Sequence, residues 1–529
     1  MKRIEDDSPN EQLDARSTMD HRDRTFDAIV IGSGIGGLTA ALTLARAQRR
    51  VLLLEAGKAI GGYLNPFKRG SYDFNPGLHY LGECGPGQQF SRLLEILGLS
   101  DDVHFHELSP EGFDRLIFPN YEVMTPKGHD VYEHRLILDF PHEHRGIEKF
   151  FRILKEFGRS LISMVDVSGD RTPHRFMRQT PLFFKYGRMT FSSLLEGLIG
   201  DPLLRAVLSA QYGNYGLPPQ QASALVGLAT LQHYLTGAYF PIGGSRAIRD
   251  AFVKQLKRHG AVLKTQHVVE RIHLHEDGVR GVRCGNGEEF FSNCIVSNAD
   301  AAITYRDLIG LEKLPSRLRD KVDHTRWSFG SICLFVGTDL DIAHAGMTDA
   351  NIWNIADVDS HDAYEAVQRG KLPERDSYFL SSATMKRPPS IQSPRHHTLE
   401  YVTIAPYHPF SPWADKPTSK RGEEYETLKM HLAERYLKHI EKHVPGVSSH
   451  IKVLEVSTPV TNLSYTMAPF GAIYGPEHSP APWGQPRFSI EAPFRGLYFC
   501  GASTLGASIV FSSISGFMAG SMAMESAVS

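Results

Sequence analysis

Three glycines and one carboxylate carry the first chemistry legible in the chain: Gly32, Gly34 and Gly37, then Glu55. In the run DAIVIGSGIGGLTAALTLARAQRRVLLLEAGKAIGG (residues 27–62), Gly32 suits a tight turn and Gly34 lets backbone approach a pyrophosphate. Gly37 lets a helix pack close to the preceding strand. Ser33 and Gly36 belong to the same loop, and Ala56 follows the acid. Glu55 stands 18 residues beyond Gly37, near the spacing of about 20 at which a carboxylate accepts from an adenosine ribose hydroxyl. A dinucleotide with a free 2′-hydroxyl is therefore expected. NAD and FAD fit equally, whereas a 2′-phosphate beside this carboxylate would be repelled.

These groups act only if regular elements aim them. Ala28-Ile29-Val30-Ile31 predicts a short buried strand, Leu38 to Ala47 an alanine- and leucine-rich helix, and Val51 to Leu54 a second parallel strand. The helix N-terminus then faces the phosphates with unpaired N–H groups and its positive dipole end. A glycine triplet alone also makes a turn without a ligand. Strand, helix, second strand and acid in one run decide for the ligand.

Residues 243–258 predict a glycine turn into an amphipathic helix with Ala247, Ile248, Phe252 and Leu256 on one side. Short strands are expected at Val262 to Thr265, Val268 to Ile272 and Val279 to Arg283, with a turn at Asp277-Gly278. Cys294-Ile295-Val296 is a buried strand, and Asn298-Ala299-Asp300 ends the unit. Such alternation belongs to an α/β domain. Residues 111–234 and 311–488 hold more aromatics, prolines and loops and read as an inserted substrate-binding part. No internal repeat and no second glycine triplet with strand and acid is found; Gly85-Pro86-Gly87 has a proline where the turn needs an N–H.

Composition narrows the setting. With 529 residues, 41% hydrophobic and 22% charged, the chain has the length for two or more domains. A net charge of −2 without a basic block argues against a nucleic-acid partner. Five cysteines (Cys84, Cys284, Cys294, Cys333, Cys500) without a CxxC pair suit a reducing compartment and a cytoplasmic protein, and are read as small buried hydrophobes. Residues 1–24 are polar and of mixed charge, neither a secretory signal nor a spanning helix, and are expected to be a disordered tail. No run reaches the length of about 18 apolar residues that a spanning helix needs. Residues 181–191, PLFFKYGRMTF, mix Phe183, Phe184, Tyr186, Met189 and Phe191 with Lys185 and Arg188. That mixture suits a membrane-contact segment near 181–200 and suits ordinary packing equally. His104, His106, His142, Glu143, His144 and the pair His396-His397 show no metal-ligand pattern, and no GxSxG elbow occurs, so neither a metal site nor a hydrolase is expected.

Further motifs extend the pattern: Gly61-Gly62, YDFNPGLHYLGE (72–83), GAYFPIGGS (237–245), VVERI (268–272), IVSNAD (295–300), TPVTNLSYTMAPFGAIYG (458–475) and LYFCGAST (497–504). Taken in this order, they resemble the phytoene desaturase, carotenoid isomerase and retinol saturase family of FAD-dependent oxidoreductases, from about residue 25 to the C-terminus. Gly77-Leu78-His79-Tyr80 is most similar to the retinol saturase branch. The resemblance implies an α/β fold with a discontinuous Rossmann-type FAD-binding domain (25–110, 235–310 and 489–529) and an inserted α+β substrate-binding domain (111–234 and 311–488). It implies that Gly32, Ser33, Gly34, Gly36, Gly37, Glu55 and Ala56 hold the adenosine and pyrophosphate. Gly61, Gly62 and Gly77 would lie near the ribityl and flavin, Val269 would meet the adenine, and Gly501-Ala502 the pyrophosphate. After Thr504 the chain departs from the family's proline, glycines and valine. Ile509 and Val510 keep backbone N–H groups that can serve the flavin O2.

Flavin chemistry at a carbon–carbon bond moves a hydride at N5 and a second hydrogen as a proton. His79 suits the proton step because imidazole gives or takes a proton near neutral pH, and Tyr80 or Tyr239 could donate to a developing carbanion. Each could instead be a packed core residue. Tyr465 and Tyr474 are expected to line the cavity, and Glu83 to be surface or structural. The family's substrates point to a long apolar polyene, isoprenoid or unsaturated lipid, taken up with peripheral membrane contact. Without a second nucleotide motif, electrons would pass to or from a quinone, oxygen or a separate reductase. Alternatives are a redox-neutral cis–trans isomerase that needs reduced FAD, and a non-catalytic FAD-containing lipid-binding protein.

Overall fold

The computed structural model describes residues 21–165, 181–276, 278–359, 361–388, 390, 396–480 and 487–526. Of the expected tail, residues 1–20 lie outside the described residues. His21–Arg24 form a 3-10 turn, and Thr25 bridges to Phe291 beside the first strand.

The apolar tetrapeptides form a parallel sheet. Ala28–Ile31 lies between Val51–Leu54 and Ile295–Ser297; Val262–Lys264 and Leu497–Phe499 complete the two edges. The three central strands are buried at every position, as near-continuous apolar runs require when helices cover both faces of a parallel sheet. Helix Ile35–Arg46 follows the first strand and packs along the C-terminal helix Ile509–Ser526. Gly516 makes that approach possible, since a Cβ there would collide with the Gly36 carbonyl oxygen. An antiparallel meander, Val269–His275, Gly278–Cys284 and Glu289–Phe291, follows the edge strand.

A second, larger sheet stands opposite. Its seven strands run in the order Ile451–Ser457, Gly330–Thr338, His397–Ala405, Tyr378–Ser381, Asn351–Asn354, Asp114–Phe118, Tyr121–Thr125. All neighbours are antiparallel except Asn351–Asn354 with Asp114–Phe118. Helix Glu423–His443 covers one face through Tyr425, Leu432, Tyr436 and Ile440. The other face looks toward the parallel sheet and leaves a cavity between.

The segment at 181–191 turns inward. Tyr186 and Phe191 are buried, Phe183 packs 5.3 Å from Phe157, and Met189 lies against the core. Only Lys185 and Arg188 are exposed among the named side chains; that of Phe184 lies outside the described residues. The burial of Tyr186 and Phe191 fits the packing alternative at these two positions. Among the described residues, no helix is long and apolar enough to cross a membrane, and no three His, Cys, Asp or Glu side chains group as a metal centre.

Candidate active site

One cavity of about 760 Å³ runs from the C-terminal ends of the parallel strands to the large sheet. Its nucleotide end is backbone. Gly32 takes φ +86°, a region open chiefly to glycine. A Cβ on Gly37 would collide with the Gly32 carbonyl oxygen, and one on Gly36 would lie 2.9 Å from the Gly501 nitrogen. Helix Ile35–Arg46 starts at Gly34 without a side-chain cap, so its first N–H groups have no acceptor within the helix, and Gly34, Ile35 and Gly36 line the cavity.

Glu55 closes this end. One oxygen accepts from the Ser33 N–H at 2.9 Å and from the Ser33 hydroxyl, and the other from the Gly57 N–H at 2.7 Å. A carboxylate has about four acceptor positions, so capacity remains for a ribose hydroxyl. Ser33 Oγ also accepts from Gly61 N–H at 2.9 Å, which ties the Gly61-Gly62 turn to the loop. The cavity is lined by Gly32, Ser33, Gly34, Gly36, Glu55, Ala56, Gly61, Gly62, Gly77, Val269, Gly501, Ala502 and Ile509. Two expected residues are not in the lining. Gly37 acts one layer behind, as the contact that seats the helix, and the Val510 side chain is buried in the core. Both Ile509 and Val510 open the C-terminal helix, so their N–H groups have no acceptor within it.

At the opposite end His79 lines the cavity, its ring 5.1 Å from Phe379. Its Nδ1 lies 3.0 Å from the buried Glu400 Oε2, while Glu400 Oε1 accepts from the Asn75 N–H at 3.0 Å. Opposite an ionised carboxylate, which only accepts, Nδ1 would be the protonated ring nitrogen and Nε2 the one left for the cavity. Aromatic and apolar side chains also line the cavity: Trp353, Phe329, Phe335, Ile404, Tyr465 and Tyr474.

The two tyrosine candidates lie outside the cavity lining. Tyr80 is stacked on Tyr234 at 4.2 Å, and its hydroxyl donates to Asp114 at 3.0 Å, outside the cavity lining. Burial raises its pKa well above the usual tyrosine range, Asp114 adding to the effect. Tyr239 donates to Glu107 at 3.0 Å on a two-stranded ladder, also outside the lining. Glu83 is structural and buried, not surface: it accepts from Thr236 Oγ1 at 3.2 Å, and burial raises its pKa.

Residue-type reasoning passed over several cavity residues. Asn298 fills the space between Gly34, Gly36 and Gly501; its position in SNAD was the available signal. Asp300 lines the cavity and accepts from Trp327 Nε1 at 3.1 Å. His267 donates its backbone N–H to the Glu55 carbonyl and is paired by its ring with Glu288 at 2.6 Å. Glu400 gave no signal, because its partner is 321 positions away.

A parallel sheet with a glycine loop, an acid on the second strand, and one cavity joining that loop to an aromatic-walled second sheet defines a flavin-dependent oxidoreductase. Residues 35–510 match the model of the family described as flavin containing amine oxidoreductase, and the chain belongs to that family. An all-trans-retinol 13,14-reductase of Danio rerio is 27% identical over 90% of this chain and 82% of its own length. A chloroplastic prolycopene isomerase of Arabidopsis thaliana is 28% identical over 93% and 82%. The structure of a wild-type putrescine oxidase bound to putrescine superposes with a TM-score of 0.61 at 14% identity, covering 96% of this chain and 99% of that one, a likeness of fold.

Proposed function

We propose that the chain is an FAD-dependent enzyme that adds hydrogen to, or removes it from, a carbon–carbon bond of a long apolar polyene, isoprenoid or unsaturated lipid, with saturation as the favoured direction. The observation that carries this reading is the continuity of the cavity. The nucleotide loop and an aromatic-walled apolar chamber share one space, and His79, an ionisable side chain with a buried carboxylate partner, lines it. The retinol 13,14-reductase relative supports the direction.

FAD suits the lining residues. Gly32, Ser33, Gly34 and Glu55 would hold its adenosine and pyrophosphate, Val269 the adenine, and Gly61, Gly62 and Ile509 the flavin. The unit composed of 25–110, 235–310 and 489–529 would carry it, and 111–234 with 311–488 would carry the substrate. Bound flavin supplies hydride exchange with an alkene carbon. The chain's own work is to exclude water with the aromatic walls, hold the polyene against the flavin, and move one proton at His79 Nε2. Glu400 stabilises the imidazolium when the ring is charged.

Substrate would enter over the rim at Tyr465, Met467 and Phe470, which are 72%, 58% and 54% exposed beside the cavity. Exposed apolar side chains at a cavity mouth suit uptake from a lipid surface. Vesicle flotation with Tyr465→Ser and Phe470→Ser should show weaker binding than the parent chain; equal flotation removes this entry route.

The isomerase relative favours a second reading, a redox-neutral cis–trans isomerisation in the same cavity. Product mass separates the two. A product heavier by two hydrogens from all-trans-retinol or a related polyene supports the saturase, and an unchanged mass with altered geometry supports the isomerase. Flavin that never changes redox state, with no product from any lipid, would leave only a binding protein.

A further inference from the structure

A buried lysine lies behind the His79 turn, outside the cavity lining and unused by the chemistry above. Lys386 is 2% exposed. Its Nζ donates to the His79 carbonyl oxygen at 2.7 Å, to Asn351 Oδ1 at 2.5 Å and to Ser381 Oγ at 2.6 Å. An ammonium has three N–H donors, so these acceptors saturate it.

Carboxylates flank it from two strands. Asp114 is buried and accepts from Tyr80 Oη at 3.0 Å, Gln211 Nε2 at 2.6 Å and Asn351 Nδ2 at 2.8 Å. Glu400 is the partner of His79. Asp349 adds a third, more distant negative charge, and the rings of Tyr80 and Phe240 stand 5.7 Å from Nζ. Burial pulls the lysine pKa down to about 8, against the upward pull of Glu400, Asp114 and Asp349. Asp114 is itself raised by burial, while its three hydrogen bonds and Lys386 oppose that rise. A buried charge left without its partners is strongly destabilising, so these groups stand or fall together.

We propose that Lys386 is a positioning residue for His79: its ammonium ties the His79 backbone to the large sheet and is a countercharge to the Glu400 carboxylate, so that Glu400 accepts from the Nδ1–H and Nε2 stays presented to the cavity. This rests on His79 as the proton-transfer group. Deprotonation of Lys386 removes one N–H, leaves one of its three acceptors without a donor, and takes the positive charge from between two carboxylates. The competent form is thus the acid form, present below about pH 8 and lost as pH rises through it.

The test uses the flavin-loaded protein with two readouts. One is the pH profile of turnover with all-trans-retinol and reduced flavin; the other, which needs no substrate, is the ¹⁵N spectrum of the histidine rings, assigned by difference with His79→Gln. The parent chain should show the Nδ1–H tautomer at His79 and an alkaline limb near pH 8. Lys386→Met should retain flavin, lose that limb, show mixed tautomers and turn over on the order of a hundredfold more slowly, the size of effect a misplaced reacting group produces. Should that variant fail to fold, Asp114→Asn keeps the shape, removes one countercharge and should move the limb to lower pH. The pair Lys386→Met with Asp114→Asn keeps the charge balance and should again lack the limb. A Lys386→Met protein with the parent's profile and tautomer, or an Asp114→Asn protein with an unmoved limb, overturns the proposal. If His79→Gln turns over normally while the tautomer still depends on Lys386, the proton-transfer role fails and the positioning role stands.

Discussion

The two ends of the cavity are built by opposite means. At the nucleotide end, Gly32 to Gly37, Glu55 and Gly61 come from one short stretch and, apart from the Glu55 carboxylate and the Ser33 hydroxyl, act through backbone: a positive φ, a helix end, and N–H groups that Ser33 and Gly61 donate to those two side chains. At the reacting end the groups are side chains from remote strands. His79 meets Glu400 across 321 positions, and Lys386 reaches the His79 carbonyl across 307. The first kind of site tolerates almost no added atom. The second tolerates changes of shape and responds to changes of charge.

The largest effect is expected where an added atom has nowhere to go. Gly37→Ala places a methyl group against the Gly32 carbonyl oxygen, an overpacking that costs about 3 kcal/mol or more. The purified protein should lack flavin and show a lowered melting temperature. Bound flavin at the parent's level would mean that the helix can shift, and the contrast between the ends would weaken.

At the other end, His79→Gln keeps size and hydrogen bonding but not proton transfer. Turnover should fall by about a hundredfold to ten-thousandfold, while flavin content and melting temperature stay at the parent's values. A middle-sized effect is expected for Glu55→Gln. The amide keeps one acceptor oxygen but loses the charge that two Ser33 donors and the Gly57 N–H now share. Flavin binding should weaken by about 1.5–3 kcal/mol, measured by titration of the apoprotein, with little change in turnover at saturating flavin. The smallest effect belongs to Tyr239→Phe. Its hydroxyl serves Glu107, outside the cavity lining, so turnover should stay within about twofold, in the range of substitutions remote from the chemistry. A loss as large as that of His79→Gln would return Tyr239 to the reacting end.

The same contrast explains what was legible. The parallel strands, the glycine loop and the 243–300 unit show in the sequence because local period and turn chemistry fix them. Gly37 is an instance: helix packing against the preceding strand is a short-range event. Tyr80 and Tyr239 stay open between chemistry and packing in the sequence, because adjacency to His79, or to a glycine motif, does not say which face a side chain takes. Tyr186 and Phe191 were ambiguous for a related reason, since an aromatic cluster reads alike on a membrane face and in a core. Glu400, Asn298 and Lys386 act only through pairings between strands far apart in the chain, and no spacing rule announces these.

The most direct test is single turnover of the reduced flavoprotein with all-trans-retinol, followed by flavin absorbance and product mass, in the parent chain and in His79→Gln. The expected result is flavin reoxidation in step with a product heavier by two hydrogens in the parent, and the same product formed far more slowly by a His79→Gln protein that still holds its flavin. Equal rates in the two proteins, or substrate consumed with no change of mass, would contradict it.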